Sequence, residues 1–124
     1  MNEVAINDIL RSINGCAQEV QASALVSLDG PVLAMVQSSG DEAVRVEAIS
    51  AAIISLGDHT NAKLSRGILE QILITGKDGH VLIQRVGRAS ALCTIAGKNM
   101  KLGLLLASAE YYARAMAPLL LECA

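Results

Sequence analysis

The residues of this chain that could support catalysis do not form a recognised motif. Gly97-Lys98 is the pair that would fit a phosphate-binding loop. Such a loop also needs a glycine five residues before the pair and a serine or threonine after the lysine. Leu92 and Asn99 occupy these two positions. The sequence therefore predicts a turn at Gly97 rather than a nucleotide site.

The cysteines and histidines offer no clear alternative chemistry. Cys93 with His80 as its base would be a nucleophilic pair, but Cys93 lies in an apolar segment, where burial raises the pKa of a thiol and silences it. His59 and His80 are the two histidines, and no carboxylates accompany them at a metal-binding spacing. The three cysteines lack a C-x-x-C spacing. We expect no enzyme activity, catalytic residue, metal or cofactor.

Composition excludes two further classes of function. The 124 residues carry 10 Lys and Arg, 12 Asp and Glu, two Tyr, and no Phe or Trp. A nucleic-acid-binding protein needs a basic surface and usually aromatic rings on which bases stack, so a nucleic-acid partner is not expected. No apolar run reaches the roughly 18 residues of a membrane span, and the first residues are not a secretory signal. We expect one cytoplasmic domain, residues 1–124, without membrane insertion.

Hydrophobic periodicity predicts three helices and five strands. A helix-period pattern repeats every three or four residues, whereas a strand pattern alternates or is continuously apolar. Asp-Gly pairs mark the turns of two hairpins. The predicted elements are a helix at 6–20, a hairpin at 24–37, a helix at 42–64, strands at 68–74, 80–86 and 89–96, and a helix at 100–117 that Pro118 ends or bends. This order is typical of a three-layer α+β fold.

The second predicted helix has two contrasting sides. One side is large and apolar and is predicted to lie on the sheet: Val46, Ile49, Ile53, Leu56 and Leu64. The opposite side carries mostly small residues: Val44, Ala48, Ala51, Ala52, Ser55 and Ala62. A solvent-exposed side is normally charged, and small residues allow two helices to approach closely. We therefore predict a partner helix there; the alternative is that the alanines only raise helix propensity.

Two further patterns concern the third strand and the last helix. Glu70 and Gln71 interrupt an apolar strand, as is typical of a sheet edge, which can pair with another chain. The edge and the small side of the second helix together predict a symmetric homodimer. Its predicted interface is Val44, Ala48, Ala51, Ala52, Ser55, Ala62, Ile68, Glu70 and Ile72. The last helix has few polar residues, so we expect it to be buried over most of its surface.

Three stretches, at 24–34, 67–74 and 102–106, together with the element order, resemble the roadblock family. This family comprises the dynein light-chain relatives, whose bacterial and archaeal members include the regulator of the gliding-motility GTPase. The resemblance implies a roadblock/profilin-like α/β/α fold. A five-stranded antiparallel sheet would carry the second helix on one face and the other two on the opposite face. It also implies dimers that pair through the third strand and second helix.

The resemblance further implies a non-enzymatic homodimeric adaptor that binds a small Ras-like GTPase. It would modulate the nucleotide cycle or localisation of that GTPase, as an activator or as a scaffold. Candidate residues for contacting the GTPase are Arg45, Asp58, His59 and Arg66, and Arg85 and Arg88 join Arg45 and Arg66 as arginines that could assist hydrolysis. The alternative is a small-molecule-sensing signalling module, although no convergent polar cluster is visible.

Overall fold

A computed structural model of the chain describes residues 2–29, 31–37 and 43–121, with only the backbone described for residues 43–49 and 121. The order of helices and strands is the one predicted from the sequence. The elements are α1 (Glu3–Gly15), β1 (Val20–Ser27), β2 (Val32–Gln37), α2 (Ala43–Lys63), β3 (Gln71–Gly76), β4 (Gly79–Val86), β5 (Ser90–Gly97) and α3 (Leu102–Leu121). Gly30, which belongs to the first predicted turn, lies outside the described residues.

The five strands form one antiparallel sheet in the order β2-β1-β5-β4-β3. The predicted position of the third strand at an edge is confirmed. Its predicted beginning is wrong, because Ile68 and Glu70 precede the strand. The chain turns before them, with positive φ angles of 56° at Ser65 and 89° at Gly67. The glycine adopts this conformation without steric cost.

Helices cover both faces of the sheet. On β5, Leu92 and Ala96 pack with α1 and α3, whereas Ala91 and Cys93 pack beneath α2. Alternate side chains of a strand point to opposite faces, so a strand between two helical layers is apolar at nearly every position. The prediction of a three-layer fold, with the second helix alone on one face, is confirmed.

The prediction of which side of α2 lies on the sheet is confirmed for Ile53, which packs on the apolar cluster beneath the helix, but it is wrong for Leu56 and Leu64. Ser50 and Ile54 are buried there, but Leu56 is 67% exposed and Leu64 is 62% exposed. Gly57 explains the difference, because an added Cβ would lie 2.8 Å from Cδ1 of Ile72. The helix backbone therefore lies close to the sheet at a glycine, whereas the neighbouring side chain of Leu56 is left outside. The side chains of Val46 and Ile49 lie outside the described part of α2.

The expectation that α3 is buried over most of its surface is also wrong. Its buried residues are Leu105, Ala109, Ala113 and Met116, which form one side of the helix. On the opposite side, Leu104 is 43% exposed and Tyr111 is 69% exposed. The helix does not end at Pro118 but continues through it. One side of α3 packs on α1 and the sheet, with Leu106 and Tyr112 half-buried beside it, and the opposite side faces outward.

A buried hydroxyl beneath α1 gives a prediction about stability. Thr94 Oγ1 has no hydrogen-bond partner among the described residues. On the neighbouring strand, Ser23 Oγ lies 3.1 Å from the carbonyl oxygen of Leu10 and 2.6 Å from Oδ1 of Asn14. An unsatisfied buried polar group costs about 1–3 kcal/mol. Thr94→Val should therefore raise the free energy of unfolding by about 1 kcal/mol in urea titrations.

The matched control for this prediction is Ser23→Ala, which removes a hydroxyl that does have partners. We expect this variant to lose about 1 kcal/mol of unfolding free energy, a typical net value for one hydrogen bond. A Thr94→Val protein that is less stable than the wild type would contradict the assignment of Thr94 as unsatisfied.

Candidate protein-interaction site

The outer edge of β3 presents unpaired backbone groups. The backbone N–H of Arg85 donates to the carbonyl oxygen of Glu70 over 2.7 Å, just before β3 begins. Hydrogen-bonded pairs alternate along antiparallel strands, so Ile72 and Ile74 form the next such pairs with β4. The N–H and C=O groups of residues 71, 73 and 75 therefore point away from β4. These groups make β3 able to pair with another strand.

Apolar side chains lie beside this free edge. Gly57 of α2 packs on Ile72 of β3. Leu56 directly precedes Gly57, and Leu64, just after the end of α2, follows Leu56 by about two helical turns. Both leucines are exposed, and Ile74 on β3 is 42% exposed. We call Leu56, Leu64, Ile72 and Ile74 the edge patch. Exposed apolar residues that lie together typically mark an interaction surface.

The residues predicted for a dimer interface fall into three groups. Ala52, Ser55, Ala62, Ile68 and Glu70 are exposed, and Ala51 and Ile72 are half-buried. The side chains of Val44 and Ala48 lie outside the described part of α2. Leu56 and Leu64, which are exposed, were not part of the predicted interface, because a helical wheel placed both among the residues expected on the sheet.

Three of the four candidate residues for contacting a GTPase lie in the C-terminal half of α2 or in the turn after it. His59 and Arg66 are exposed, and Arg66 Nε donates to the carbonyl oxygen of Leu64 over 3.0 Å. Asp58 Oδ1 lies 3.4 Å from Nη2 of Arg85. The side chain of Arg45 lies outside the described residues. Asp58, His59 and Arg66 therefore lie within nine residues of one another in the chain.

Arg85 is occupied by contacts within the chain. Its side chain is 18% exposed. Besides Asp58, it donates through Nε to the carbonyl oxygen of Leu69 and through Nη1 to that of Arg88, the latter over 3.0 Å. A guanidinium that joins three separate segments cannot reach into another protein without giving up these bonds. Arg66 and Arg88, by contrast, are exposed.

The sheet separates Cys93 from His80. Cys93 is 3% exposed and packs under α2, whereas His80 alternates with Leu82 toward the α1 and α3 side. Burial raises the pKa of the Cys93 thiol from 9.0 to about 11, and a hydrogen bond with Ser50 partly opposes the shift. His80 Nδ1 lies 3.0 Å from Oγ1 of Thr75. The two groups therefore cannot act as a nucleophile and its base.

Gly97 shows no cradle for a phosphate. A Cβ added there would collide with Oε2 of Glu19, so a carboxylate stands where a phosphate loop would offer backbone N–H groups.

Beneath α2, the small cavity that includes Ile54, Leu69 and Ile83 measures about 10 Å³, far below the several hundred Å³ of a ligand pocket. Within the described ranges, no group of three or more His, Cys, Asp and Glu side chains could hold a metal ion.

None of the helices in the described part of the chain is long and apolar enough to cross a membrane.

Comparison with known proteins agrees with this architecture. The Streptomyces avermitilis Roadblock/LC7 domain superposes with a TM-score of 0.84 and 18% identity, covering 91% of this chain and 95% of that one. Myxococcus xanthus MglB gives 0.90 and 12%, covering 98% and 99%. The gliding protein MglB from Thermus thermophilus gives 0.86 and 12%, covering 94% and 88%. No curated protein matches by sequence. A profile of the Roadblock/LC7 domain matches residues 15–96, and the chain therefore belongs to this family.

Proposed function

We propose that this protein is a homodimeric, non-enzymatic adaptor that binds a small Ras-like GTPase and modulates its nucleotide cycle or localisation. The observation that carries the proposal is the free β3 edge together with the edge patch. Membership of the Roadblock/LC7 family supports it, because the roadblock resemblance in the sequence implies dimers and a GTPase partner. The protein would act in the cytoplasm, without an active site of its own.

The proposed dimer forms by antiparallel pairing of β3 with β3 of a second copy. The outward-facing groups of residues 71, 73 and 75 are spaced symmetrically about Leu73. A two-fold axis there lets residue 71 of each copy pair with residue 75 of the other. The same axis brings the two α2 helices together above the joined sheet. Leu56 and Leu64, which are exposed in the single chain, would then be covered.

The proposed GTPase-binding surface lies on the outer side of the paired α2 helices. His59 is exposed there, and Arg66 follows in the turn after the helix. A GTPase regulator can insert an arginine that stabilises the transition state of GTP hydrolysis, or it can position the catalytic groups of the GTPase itself. Arg85 is held within its own chain. We therefore propose Arg66 and Arg88 as the arginines able to approach the nucleotide.

The test is to mix the purified protein with the small Ras-like GTPase of the same cell, loaded with a non-hydrolysable GTP analogue. We expect the two to elute together from a sizing column, and the rate of GTP hydrolysis to change when GTP replaces the analogue. Arg66→Glu should weaken binding about tenfold, which corresponds to about 1.4 kcal/mol. Arg11→Glu, at an exposed position on α1, should leave binding unchanged. Neither co-elution nor an altered hydrolysis rate would overturn the proposal.

A further inference from the structure

The free edge of β3 carries opposite charges at its two ends. Glu70 directly precedes β3, and Lys77 follows it in the turn to β4. Both residues are exposed, and residues 71–76 between them are uncharged. A strand rises about 3.3 Å per residue, which places the two charges roughly 20 Å apart. They therefore cannot pair with each other within one chain.

Neither charge is neutralised by its surroundings. In the part of the chain that the structure describes, no ion pair or hydrogen bond reaches the carboxylate of Glu70 or the ammonium group of Lys77. Arg85 lies opposite Glu70 on β4, but its guanidinium is held by three other groups. Asp78 adjoins Lys77 but leads into β4, the inner strand, so Lys77 is the turn residue nearer to the free edge.

An antiparallel copy of the same edge matches these charges. In the proposed pairing, residue 71 of each copy faces residue 75 of the other, so Glu70 faces Gly76 of the second copy and lies beside its Lys77. The two-fold axis repeats this contact at the other end of the paired strands. Opposite charges on paired strands stabilise the pairing, and like charges destabilise it.

Other arrangements of two β3 strands lose the match. Parallel pairing in register would place Glu70 beside Glu70 and Lys77 beside Lys77. An antiparallel shift by two residues would move each carboxylate about 7 Å further from its ammonium group. The charges at the ends of β3 are therefore complementary to one orientation and one register of an identical strand.

We propose that Glu70 and Lys77 form two symmetric ion pairs between copies of this chain, and that these pairs favour an identical chain as the partner at the β3 edge. The inference rests on the proposed β3-edge dimer and adds the choice of partner. Unpaired backbone groups and apolar side chains would accept many strands. A chain with a neutral or reversed charge at either position would pair less tightly, because specificity is a difference between affinities.

The first test reverses each charge and then mixes the two variants. Glu70→Lys and Lys77→Glu each replace two attractive contacts of the dimer by two repulsive ones. We expect the dissociation constant of each variant, measured by sedimentation equilibrium, to rise at least about tenfold. An equimolar mixture should form mixed dimers about as tightly as the wild type, because both contacts then join opposite charges again.

The matched controls are Glu3→Lys and Arg11→Glu, which reverse exposed charges on α1. Each should dimerise like the wild type, alone and mixed. Unchanged dissociation constants in Glu70→Lys and Lys77→Glu would overturn the ion pairs while leaving the proposed dimer in place. Weakened variants that do not recover when mixed would also overturn them. A wild-type protein that stays monomeric at every concentration would instead overturn the proposed dimer, and this inference with it.

The second test is the dependence of the dissociation constants on salt. Exposed ion pairs are screened by ions, and the screening length falls to about 3 Å at about 1 M salt. The difference between the wild type and Glu70→Lys should therefore shrink as sodium chloride is raised. A difference of the same size at low and high salt would overturn the proposal, because it would have to come from a steric rather than an electrostatic effect.

Discussion

Replacing Leu56 by arginine should separate the β3-edge dimer while each subunit stays folded. Leu56 is 67% exposed in the single chain, and substitutions at such positions usually change stability by no more than about 0.5 kcal/mol. In the dimer the same position would be covered, and an unpaired charge buried at an interface costs about 3 kcal/mol or more. Such a cost weakens association at least about 100-fold.

The measurement is the mass by light scattering over a range of concentrations, together with thermal unfolding followed by circular dichroism. Val4→Arg is the control, because Val4 is similarly exposed but lies on α1, in the opposite layer. We expect the control to remain a dimer.

Ala52→Arg distinguishes two versions of the interface. Ala52 belongs to the small side of α2, which the sequence predicts to meet a partner helix, whereas Leu56 belongs to the edge patch. If Ala52→Arg dissociates the dimer and Leu56→Arg does not, the contact lies on the small side alone. If neither does, α2 takes no part in the dimer and the proposed pairing is wrong.

The sequence was sufficient for the element order and for the position of β3 at an edge. Local features determine these: Asp78-Gly79 marks one hairpin turn, and Glu70 and Gln71 interrupt an apolar segment. The side of α2 that faces the sheet is not a local property. It depends on the contact of Gly57 with Ile72, two residues from different elements, and a helical wheel does not include the sheet.

The sequence also could not determine what covers an apolar helix. The few polar residues of α3 predicted burial, yet its outer side faces outward in the single chain, as Leu104 and Tyr111 show. The composition of a helix shows that it has apolar surface, but it does not show which molecule covers that surface.

The sequence likewise could not show which arginines are free to contact another protein. Arg85 and Arg88 are alike in the sequence, and only the fold brings Asp58 and Leu69 to Arg85.

Arg85→Met should lower the free energy of unfolding by about 2–4 kcal/mol. The substitution keeps an unbranched apolar stem but removes the guanidinium, leaving the carbonyl oxygens of Leu69 and Arg88 without this donor. Hydrogen bonds from charged groups contribute about 1.5–3 kcal/mol each. The Asp58 carboxylate, whose side chain is 46% exposed, adds little because solvent screens it. Urea titration measures the change.

Two matched variants complete this experiment. Arg88→Met removes an exposed guanidinium and should change stability by less than about 0.5 kcal/mol. Arg85→Lys should fall between Arg85→Met and the wild type, because an ammonium group lacks the planar set of donors that reaches several acceptors. Equal stability of Arg85→Met and Arg88→Met would contradict the structural role of Arg85. If the two variants are equally stable, a loss of GTPase regulation in Arg85→Met would have to come from a lost contact between Arg85 and the GTPase rather than from unfolding.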